Sequence, residues 1–374
     1  MKNIIRYLVL IFCSSFFYAV SYTQIVITGK VLNDETNLAI PNASVYLNNT
    51  SIGTFTNNMG EFTLIASSIY TGELIVSSIG YQPLFYQLDN IGADKKHYTF
   101  KLILKENILK SVLVLSNESR KQWLQIFKDN FLGITEEADN CTIENIEAVY
   151  FTAGADKNTI YAYADTPLII INKMLGYKIA FDLVEFNFDK TELRTYFLGY
   201  NRYEEMGEKK KWLKRRKENY YGSVMHFYRS LINKELDKEG FSIFEIKIDT
   251  GSKKSVLNTT REVQKVTPSI IIEPLQAFQV LYIDSITNEY ALQFSNKIMV
   301  QYNRQPHAYN YLSNKIIVAG ITHFGFVAYI NLLVDKVGLD KNGIVHLPLQ
   351  VVYEGFWMYE KLANQLPFNY YVDN

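Results

Sequence analysis

Residues 41–64 read PNASVYLNNTSIGTFTNNMGEFTL, and this stretch decides the fold that we predict for the first part of the chain. Between Ala43 and Asn48 two sets of side chains alternate, which is the period of a half-buried β-strand. Short runs rich in Thr and Phe then lie on either side of residues 57–60. Asn and Gly tolerate the positive φ that a tight turn needs, so we expect a β-hairpin that turns at residues 57–60.

The same alternation of strand-like runs and turn residues continues on both sides of this stretch. Residues 26–31, 74–76, 84–88 and 97–104 also have strand-like sequences, and residues that favour turns separate them. The total is about seven short strands, which is typical of a small antiparallel β-sandwich.

Four groups of residues in this region resemble a known family. They are Gly29-Lys30-Val31, Pro41-x-Ala43-x-Val45, Gly53-Thr54-x-Thr56-Asn57-x-x-Gly60-x-Phe62 and Ile79-Gly80-Tyr81. With these groups, residues 24–104 resemble the carboxypeptidase regulatory-like (carboxypeptidase D regulatory) domain, with Asn57 where the family commonly carries Asp. The resemblance implies a prealbumin-like antiparallel β-sandwich in a protein of the Gram-negative cell envelope, as at the N-terminus of TonB-dependent receptors. It implies no catalytic residue.

The first residues of the chain predict export. Lys2 and Arg6 precede an apolar run at residues 7–17, and small residues follow it. We therefore expect residues 1–21 to be a signal peptide that is cleaved after Ser21. The apolar run is too short for a membrane-spanning helix, and no later stretch of the sequence is long enough.

Composition narrows the classes of partner and chemistry. The 374 residues contain 38 Lys and Arg against 38 Asp and Glu, so the net charge points neither to nucleic acid nor to an anionic membrane. Phe12 stands before Cys13 where a lipoprotein needs a small residue, which argues against lipidation. Cys141 has no cationic neighbour in the sequence to lower its pKa, so we expect it to be an unreactive thiol.

The remainder of the chain predicts a second, larger domain. We expect a linker at residues 105–119 and a β-rich, mostly antiparallel α+β domain at residues 120–374, which makes the fold class mainly β. The segments FLGITEEADNCTIEN (131–145) and GFWMYEKLANQLPFNYY (355–371) resemble an uncharacterised region of secreted envelope proteins. That resemblance implies no activity.

Two helices and one long strand are the clearest elements of this second domain. Aromatic side chains at four-residue steps predict a helix that begins near Asn117 or Ser119 and ends before Gly133. A second helix is expected from Ser223 to about Lys238, with Gly240 after its end. Residues 177–188 alternate as a strand does.

A basic run supplies the first candidate site, which would bind an anion. Its residues surround Trp212 and are Lys209, Lys210, Lys211, Lys214, Arg215, Arg216 and Lys217. In an exported protein the fitting ligand is an anionic envelope component such as a lipid A phosphate or an acidic glycan, and nucleic acid is not an expected partner. The residues themselves favour the alternative, a solvated segment whose charges are balanced by Glu204, Glu205 and Glu208.

A polar stripe supplies the second candidate site. His226, Arg229, Ser230 and Asn233 follow the i, i+3, i+4, i+7 spacing of one helix face. His226 and Arg229 could bind an anion there. The favoured alternative is that the stripe is the solvent-facing side of a helix whose apolar residues pack inward.

The familiar enzyme motifs are missing from the sequence. The five histidines lack the spacing of zinc peptidase ligands, and neither Gly-x-Ser-x-Gly nor a phosphate-binding glycine-rich loop occurs. We predict an exported, non-catalytic protein with a binding or structural role, without metal or cofactor, located in the periplasm or at the outer membrane. The expected partners are an envelope glycan, an anionic lipid or an outer-membrane protein.

Two alternatives stay open at this point. A carboxylate-dependent hydrolase of envelope glycan or peptidoglycan needs only two carboxylates beside a cleft, and their spacing in sequence is unconstrained. A small outer-membrane β-barrel needs strands of about ten residues, and residues 177–188 would qualify.

Overall fold

The structure is a computed structural model and describes residues 25–66, 72–88, 96–105, 116–155, 157–249, 269–283, 289–304, 326–346 and 348–372. The chain divides into a smaller unit, Met1–Asn48 with Ile52–Asn107, and a larger unit, Asn49–Ser51 with Ile108–Asn374. The predicted signal peptide and Cys13 lie outside the described residues.

Seven strands form the described part of the smaller unit. They are β1 (Ile25–Asn33), β2 (Ser44–Leu47), β3 (Gly53–Phe55), β4 (Glu61–Ala66), β5 (Glu73–Ser77), β6 (Leu84–Gln87) and β7 (Lys96–Leu102). They make two sheets, with strand orders β4-β1-β7 and β3-β2-β5-β6. Apolar side chains such as Val31, Val45, Phe62 and Leu74 are buried, as the alternation predicted. The predicted β-sandwich is confirmed.

Two details of that prediction are wrong. Strands β1 and β7 run parallel, whereas the other strand pairs of this unit are antiparallel. Residues 57–60 do not close a hairpin, because β3 pairs with β2 and β4 pairs with β1, so the turn crosses from one sheet to the other. The turn chemistry is as expected: Gly60 has a φ of 73°, and the Asn57 side chain accepts bonds from two backbone N–H groups. A local pattern reveals the turn and not the partner strand.

The larger unit combines short helices with three sheets. The helices are α1 (Asn117–Phe131), α2 (Glu136–Asp139), α3 (Lys210–Tyr220), α4 (Val224–Ile232) and α5 (Leu236–Glu239). The strands are β8 (Cys141–Ile143), β9 (Val149–Ala153), β10 (Thr159–Ala164), β11 (Leu168–Asn172), β12 (Tyr177–Asp189), β13 (Arg194–Glu205), β14 (Phe241–Asp249), β15 (Ser269–Leu275), β16 (Leu281–Ile283), β17 (Tyr290–Leu292), β18 (Ile298–Tyr302), β19 (Val327–Leu332), β20 (Val337–Leu339) and β21 (Val351–Gly355).

Their pairing confirms the predicted antiparallel character. One sheet has the order β8-β11-β12-β10-β9 with β13 also on β12, the second is β15-β14-β18-β19-β21, and the third is β16-β17-β20. Every pair of these strands in the described residues is antiparallel. Short 3₁₀ turns lie at Phe356–Tyr359 and Leu362–Asn364, near the C-terminus.

Helix α1 packs on the first sheet through its aromatic residues, as its sequence predicts. Phe127 and Phe131 are fully buried, and each ring centroid lies 4.9 Å from a ring of β12, that of Phe186 or Phe181. The residue that caps the helix is Ser116, one position before Asn117 and three before Ser119, the two candidates named from the sequence. Measured against the thickness of a bilayer, none of the helices within the described ranges has the length and apolar character of a membrane span.

The helix predicted from Ser223 to Lys238 is divided in two. Ser223 caps α4 and Gly240 follows α5 with a φ of 87°, as expected. Between the helices Lys234 adopts a φ of 59°, which interrupts the helical path. Phe227 of α4 packs against Phe241 and Trp357 in the second core of this unit.

Candidate functional site

The basic run forms helix α3, which the sequence pattern did not predict as a helix. Its residues KKWLKRRKENY are mostly strong helix formers, although the first turn holds two lysines and no acid, against the preference of a helix N-terminus. Trp212 and Arg216, four residues apart, are buried on the inner face, whereas the lysines are exposed. The helix therefore has a packed face and a cationic face.

Arg216 fixes the inner face of α3 to the turn between β11 and β12. Its guanidinium donates to the carbonyls of Leu175 (2.7 Å) and Gly176 (3.1 Å) and to the Glu205 carboxylate (2.8 Å). It also stacks 3.9 Å from the ring centroid of Tyr177. Only 2% of Arg216 is exposed, so it is a structural residue and cannot take part in a surface anion site.

Trp212 fixes the same turn from beside Arg216. Its indole N–H donates to the carbonyl of Lys173 at 3.0 Å, and its ring covers Gly176. A Cβ at Gly176 would lie 2.2 Å from that ring, so glycine is required there by packing as well as by its φ of 69°.

Arg215 is engaged with helix α2 and with its own helix. It donates to the Glu136 carboxylate at 2.7 Å and lies 3.9 Å from both Glu137 and Glu218. Its charge is therefore compensated inside the protein.

The lysines of the cationic face are placed differently. Lys209, Lys210, Lys211, Lys214 and Lys217 are exposed, and within the described ranges only Lys214 has a carboxylate partner, Glu218 at 3.7 Å. The Lys209 ammonium lies 4.5 Å from the Trp212 ring centroid. Of the three glutamates expected to balance the run, only Glu205 does so, and it binds Arg216 rather than a lysine. The lysines are exposed, as a solvated segment requires, and the carboxylate that contacts them in the described ranges is Glu218 rather than one of the three expected glutamates.

The second predicted cluster is buried, which overturns its interpretation as a solvent-facing stripe. Only 2% of His226 and 7% of Arg229 are exposed, and Ser230 is also buried, so Asn233 alone faces solvent. Polar spacing on a helix shows a shared face, but it does not show whether another element covers that face.

His226 is held by partners on both ring nitrogens. The Gly222 N–H donates to Nδ1 at 3.1 Å, so we assign the proton to Nε2, which faces the Glu239 carboxylate at 3.1 Å. Burial lowers the pKa of His226, and the charges of Arg304 and Arg229 act in the same direction, whereas Glu239 opposes them. The rings of Tyr220, Tyr221, Phe241 and Tyr302 surround it.

Arg229 is used to fix the C-terminal segment. Its guanidinium donates to the carbonyls of Asn342 (3.0 Å), Tyr370 (2.7 Å) and Phe368 (2.9 Å). The ring centroid of Tyr371 lies 4.4 Å away. His226 and Arg229 therefore have structural partners, and the two predicted clusters do not form one site.

A carboxyl cluster below α3 was missed by sequence reasoning. The side chain of Glu137 is 1% exposed, and one of its oxygens accepts a bond from Asn364 at 3.1 Å. Glu360 keeps some exposed surface, yet burial and the negative charge of Glu137 raise its pKa to about 8. The two residues stand far apart in the sequence, and two carboxylates leave no local signature.

Glu137 also affects Cys141, although burial has the larger effect. Burial, with a smaller contribution from the Glu137 charge, raises the pKa of the Cys141 thiol to about 12. A raised pKa favours the protonated thiol at neutral pH, which agrees with the unreactive cysteine expected from the sequence.

The larger unit also has a groove beside α5. Among the residues that the structure describes, no group of three or more His, Cys, Asp or Glu side chains could hold a metal ion. A groove of about 470 Å³ lies beside α5, β14 and β15, with Leu236, Phe241 and Leu275 among its lining residues. Lys238 at its edge pairs with Glu235 at 2.7 Å, so the charge of this lysine is compensated.

The chain has distant likenesses among solved structures. Solved structures that match the chain include a candidate carbohydrate-binding protein from Bacteroides uniformis (9% identical, covering 74% of this chain and 88% of that chain, TM-score 0.18). Another is a candidate membrane-associated protein of unknown function from Bacteroides fragilis (10% identical, covering 85% of this chain and 90% of that chain, TM-score 0.18). A third is a 9R-lipoxygenase from Cyanothece (12% identical, covering 56% of this chain and 48% of that chain, TM-score 0.18). At these TM-scores the likeness carries no argument about fold or function.

No curated protein matches the chain. A family model does match, over residues 27–114, and it describes the CarboxypepD_reg-like domain. Its range contains most of β1 and the six strands that follow, which form two facing sheets. The smaller unit is therefore a CarboxypepD_reg-like β-sandwich.

Proposed function

We propose that the chain is an exported, non-catalytic protein of the cell envelope that binds an anionic envelope ligand through helix α3. The observation that carries the proposal is the difference between the two faces of this helix. Its arginines are compensated internally, whereas Lys210, Lys211 and Lys217 have no carboxylate partner in the described part of the chain. Unbalanced lysines on an exposed face attract anions, and phosphate or carboxylate groups are abundant in an envelope.

The arrangement supports binding better than catalysis. A general acid or base has to reach its substrate, but His226, Glu137 and Arg229 are buried and hydrogen-bonded to other parts of the chain. The accessible charged groups of α3 are lysines, which can hold an anion in place. A CarboxypepD_reg-like domain agrees with this, since the resemblance implies no catalytic residue.

The test of binding is retention on dextran sulfate, a soluble polyanion that can be immobilised. The variant Lys210→Gln/Lys217→Gln should elute at clearly lower salt than the unchanged protein. Lys121→Gln/Lys128→Gln is the matched control, because these exposed lysines of α1 have the same seven-residue spacing and no ion pair in the described residues. Equal elution of the two double variants would contradict the proposal.

The test of location is fractionation of the native cell envelope, with a carbonate wash of the outer-membrane pellet. We expect a mature chain that begins at Tyr22 and is periplasmic or released by the wash. An uncleaved chain in the cytosol would overturn the export part of the proposal, and a chain that stays in the washed membrane would require an anchor that the proposal does not contain.

One observation favours a second candidate function, a carboxylate-dependent hydrolase. A pKa near 8 at Glu360, beside a second carboxylate, is the perturbation found in many catalytic acids. Burial of Glu137 and its bond to Asn364 argue against a cleft at this position. Release of soluble fragments from purified peptidoglycan, abolished by Glu360→Gln and retained by exposed Glu147→Gln, would favour the hydrolase. No release from any of the three proteins would exclude it for this substrate.

A further inference from the structure

The exposed lysines of α3 form a line. Lys210, Lys214 and Lys217 follow the i, i+4, i+7 spacing, so they share one side of the helix over roughly 10 Å of its length. Lys211 flanks the line. The opposite side carries Trp212 and Arg216, which fix the helix to the sheet, so the cationic face has a defined direction.

The two outer lysines of this line, Lys210 and Lys217, have no carboxylate partner in the described ranges. Glu218, paired with Lys214, is the one carboxylate that contacts these lysines within the described ranges. The first turn of α3 has no acidic residue, and its N-cap, Lys209, makes no side-chain cap. The partial positive charge of the helix N-terminus therefore adds to that of the lysines.

Apolar side chains accompany the lysines. Leu213 lies beside the line, three residues after Lys210 and four before Lys217, and 41% of it is exposed. Met206, in the loop that leads into the helix, is 42% exposed. Exposed apolar groups among lysines are typical of surfaces that meet the boundary between lipid headgroups and acyl chains.

A glycan would need a different surface. Sugar rings commonly stack on exposed aromatic side chains, but the one aromatic residue in the middle of α3, Trp212, is buried against Gly176. Tyr220, at the end of the helix, is half-buried, and its ring is engaged with Tyr221, His226 and Tyr370. The line of lysines thus provides charge and aliphatic groups, which favours a lipid over an acidic polysaccharide.

We infer that the outer face of α3 docks the protein on an anionic lipid surface, with Lys210, Lys214 and Lys217 on the headgroup phosphates and Leu213 at the headgroup–acyl boundary. The inference rests on the proposed function, since it names the class of anionic ligand. It adds a requirement for Leu213 that a soluble anion would not impose.

The experiment is co-sedimentation of the mature chain with phosphatidylcholine vesicles, with and without phosphatidylglycerol. We expect binding to the anionic vesicles only, and less binding at high salt because exposed charges are screened. One lysine near an anionic surface contributes about fivefold in affinity, so Lys210→Gln/Lys217→Gln should weaken binding about 25-fold. The control Lys121→Gln/Lys128→Gln should bind as the unchanged protein does.

Leu213→Ser separates a lipid from a soluble anion. The variant should weaken vesicle binding about tenfold, because the Leu213 side chain is removed from water when the protein binds a lipid surface. It should leave retention on dextran sulfate unchanged, because a soluble polyanion does not bury this side chain. Lysine-dependent retention on dextran sulfate without vesicle binding would overturn the lipid inference and leave the proposed function standing. Loss of lysine dependence in both assays would overturn both. Equal loss of vesicle binding in the two lysine double variants would show that α3 is not the docking face.

Discussion

In the smaller unit, the buried side chains of the described residues are apolar apart from neutral groups such as Asn33 and Thr56. The described part of the larger unit, by contrast, buries five acidic or basic side chains. These are Glu137, Arg216, His226, Arg229 and Asp340. The sandwich depends on the hydrophobic effect, which is roughly proportional to buried apolar area and has no required direction. The larger unit depends in addition on hydrogen bonds to buried charges, which are lost when one partner is removed.

The difference predicts different responses to mutation. Removing part of an apolar core leaves a cavity that neighbouring side chains can partly fill. Removing a buried cation leaves its acceptors without a donor in a place that water does not reach. The following predictions test this contrast, and native-state hydrogen exchange reports on each unit separately in the full chain.

The largest effect is expected for Arg216→Ala in the larger unit. The change leaves the carbonyl of Leu175 without its donor and leaves that of Gly176 with only the Met206 N–H. It also removes the stacking on Tyr177. The protection of β12 amides should fall by about 4 kcal/mol. Lys217→Ala, the next residue on the exposed face, should change it by less than about 0.5 kcal/mol. A loss below about 1 kcal/mol for Arg216→Ala would mean that the buried guanidinium is not a main support of this region.

A smaller effect is expected for Phe62→Ala in the sandwich. Phe62 is buried, stacks 6.0 Å from Phe100 and covers Gly29. The protection of β1 amides should fall by about 3 kcal/mol, at the lower end of the range for such truncations. Ile65→Ala on the same strand is the control. Because Ile65 is exposed, this variant should change the protection of β1 amides only slightly. If Ile65→Ala were as costly as Phe62→Ala, the assignment of the two strand faces would be wrong.

Glu360 makes the stability of the larger unit depend on pH. An unfolded chain releases the Glu360 proton near pH 4.5, whereas the folded chain keeps it to about pH 8. The folded state therefore binds more protons in this interval, and stability falls as the pH rises through it. Glu360→Gln should remove this loss and be more stable than the unchanged protein above about pH 8, by about 2 kcal/mol. That figure is below the full value of the shift because the carboxyl keeps some exposed surface.

Urea unfolding as a function of pH, followed in the larger unit, measures this effect. Glu147→Gln removes an exposed carboxyl and should keep the profile of the unchanged protein. An unchanged alkaline limb in Glu360→Gln would show that the carboxyl is ionised in the folded chain at neutral pH.

The same contrast explains which parts of the structure the sequence could predict. Apolar alternation identified β1 and β12, and the aromatic residues of α1 identified a helix and its packed face, because burial of apolar groups leaves a period in the sequence. The partner of β4 could not be predicted, since the turn at residues 57–60 suits a hairpin and a crossing between sheets equally well.

The burial of charged residues could not be predicted for a related reason. Arg229 binds carbonyls 113, 139 and 141 residues away, so no local pattern contains the partners that make its burial possible. His226 and Arg229 therefore looked like a solvent-facing stripe. Helix α3 was missed because its inner face has one apolar anchor, Trp212, and otherwise uses Arg216, which a hydrophobicity pattern counts as exposed.

The smallest effect is expected for His226, and its sign is opposite to that of Glu360. In the unfolded chain His226 takes up a proton near pH 6.5, whereas burial and the nearby Arg304 and Arg229 lower its pKa in the folded chain. The unfolded state then binds more protons below about pH 6.5, so stability falls as the pH falls through this region. His226→Gln should remove that acid limb. At neutral pH the substitution should lower the free energy of unfolding by about 1 kcal/mol, because the Gly222 N–H loses its acceptor.

A variant at an exposed histidine is the control for His226→Gln. His97→Gln changes an exposed histidine of the sandwich and should keep the acid limb. Protonation of His226 on Nδ1 would break its bond from Gly222, although Glu239 would favour the charged ring, so the net direction tests whether burial outweighs this carboxylate. A more stable protein at acid pH would mean that Glu239 dominates. His226 would then act as a charged partner, and the larger unit would have an ion pair where its burial predicts a neutral ring.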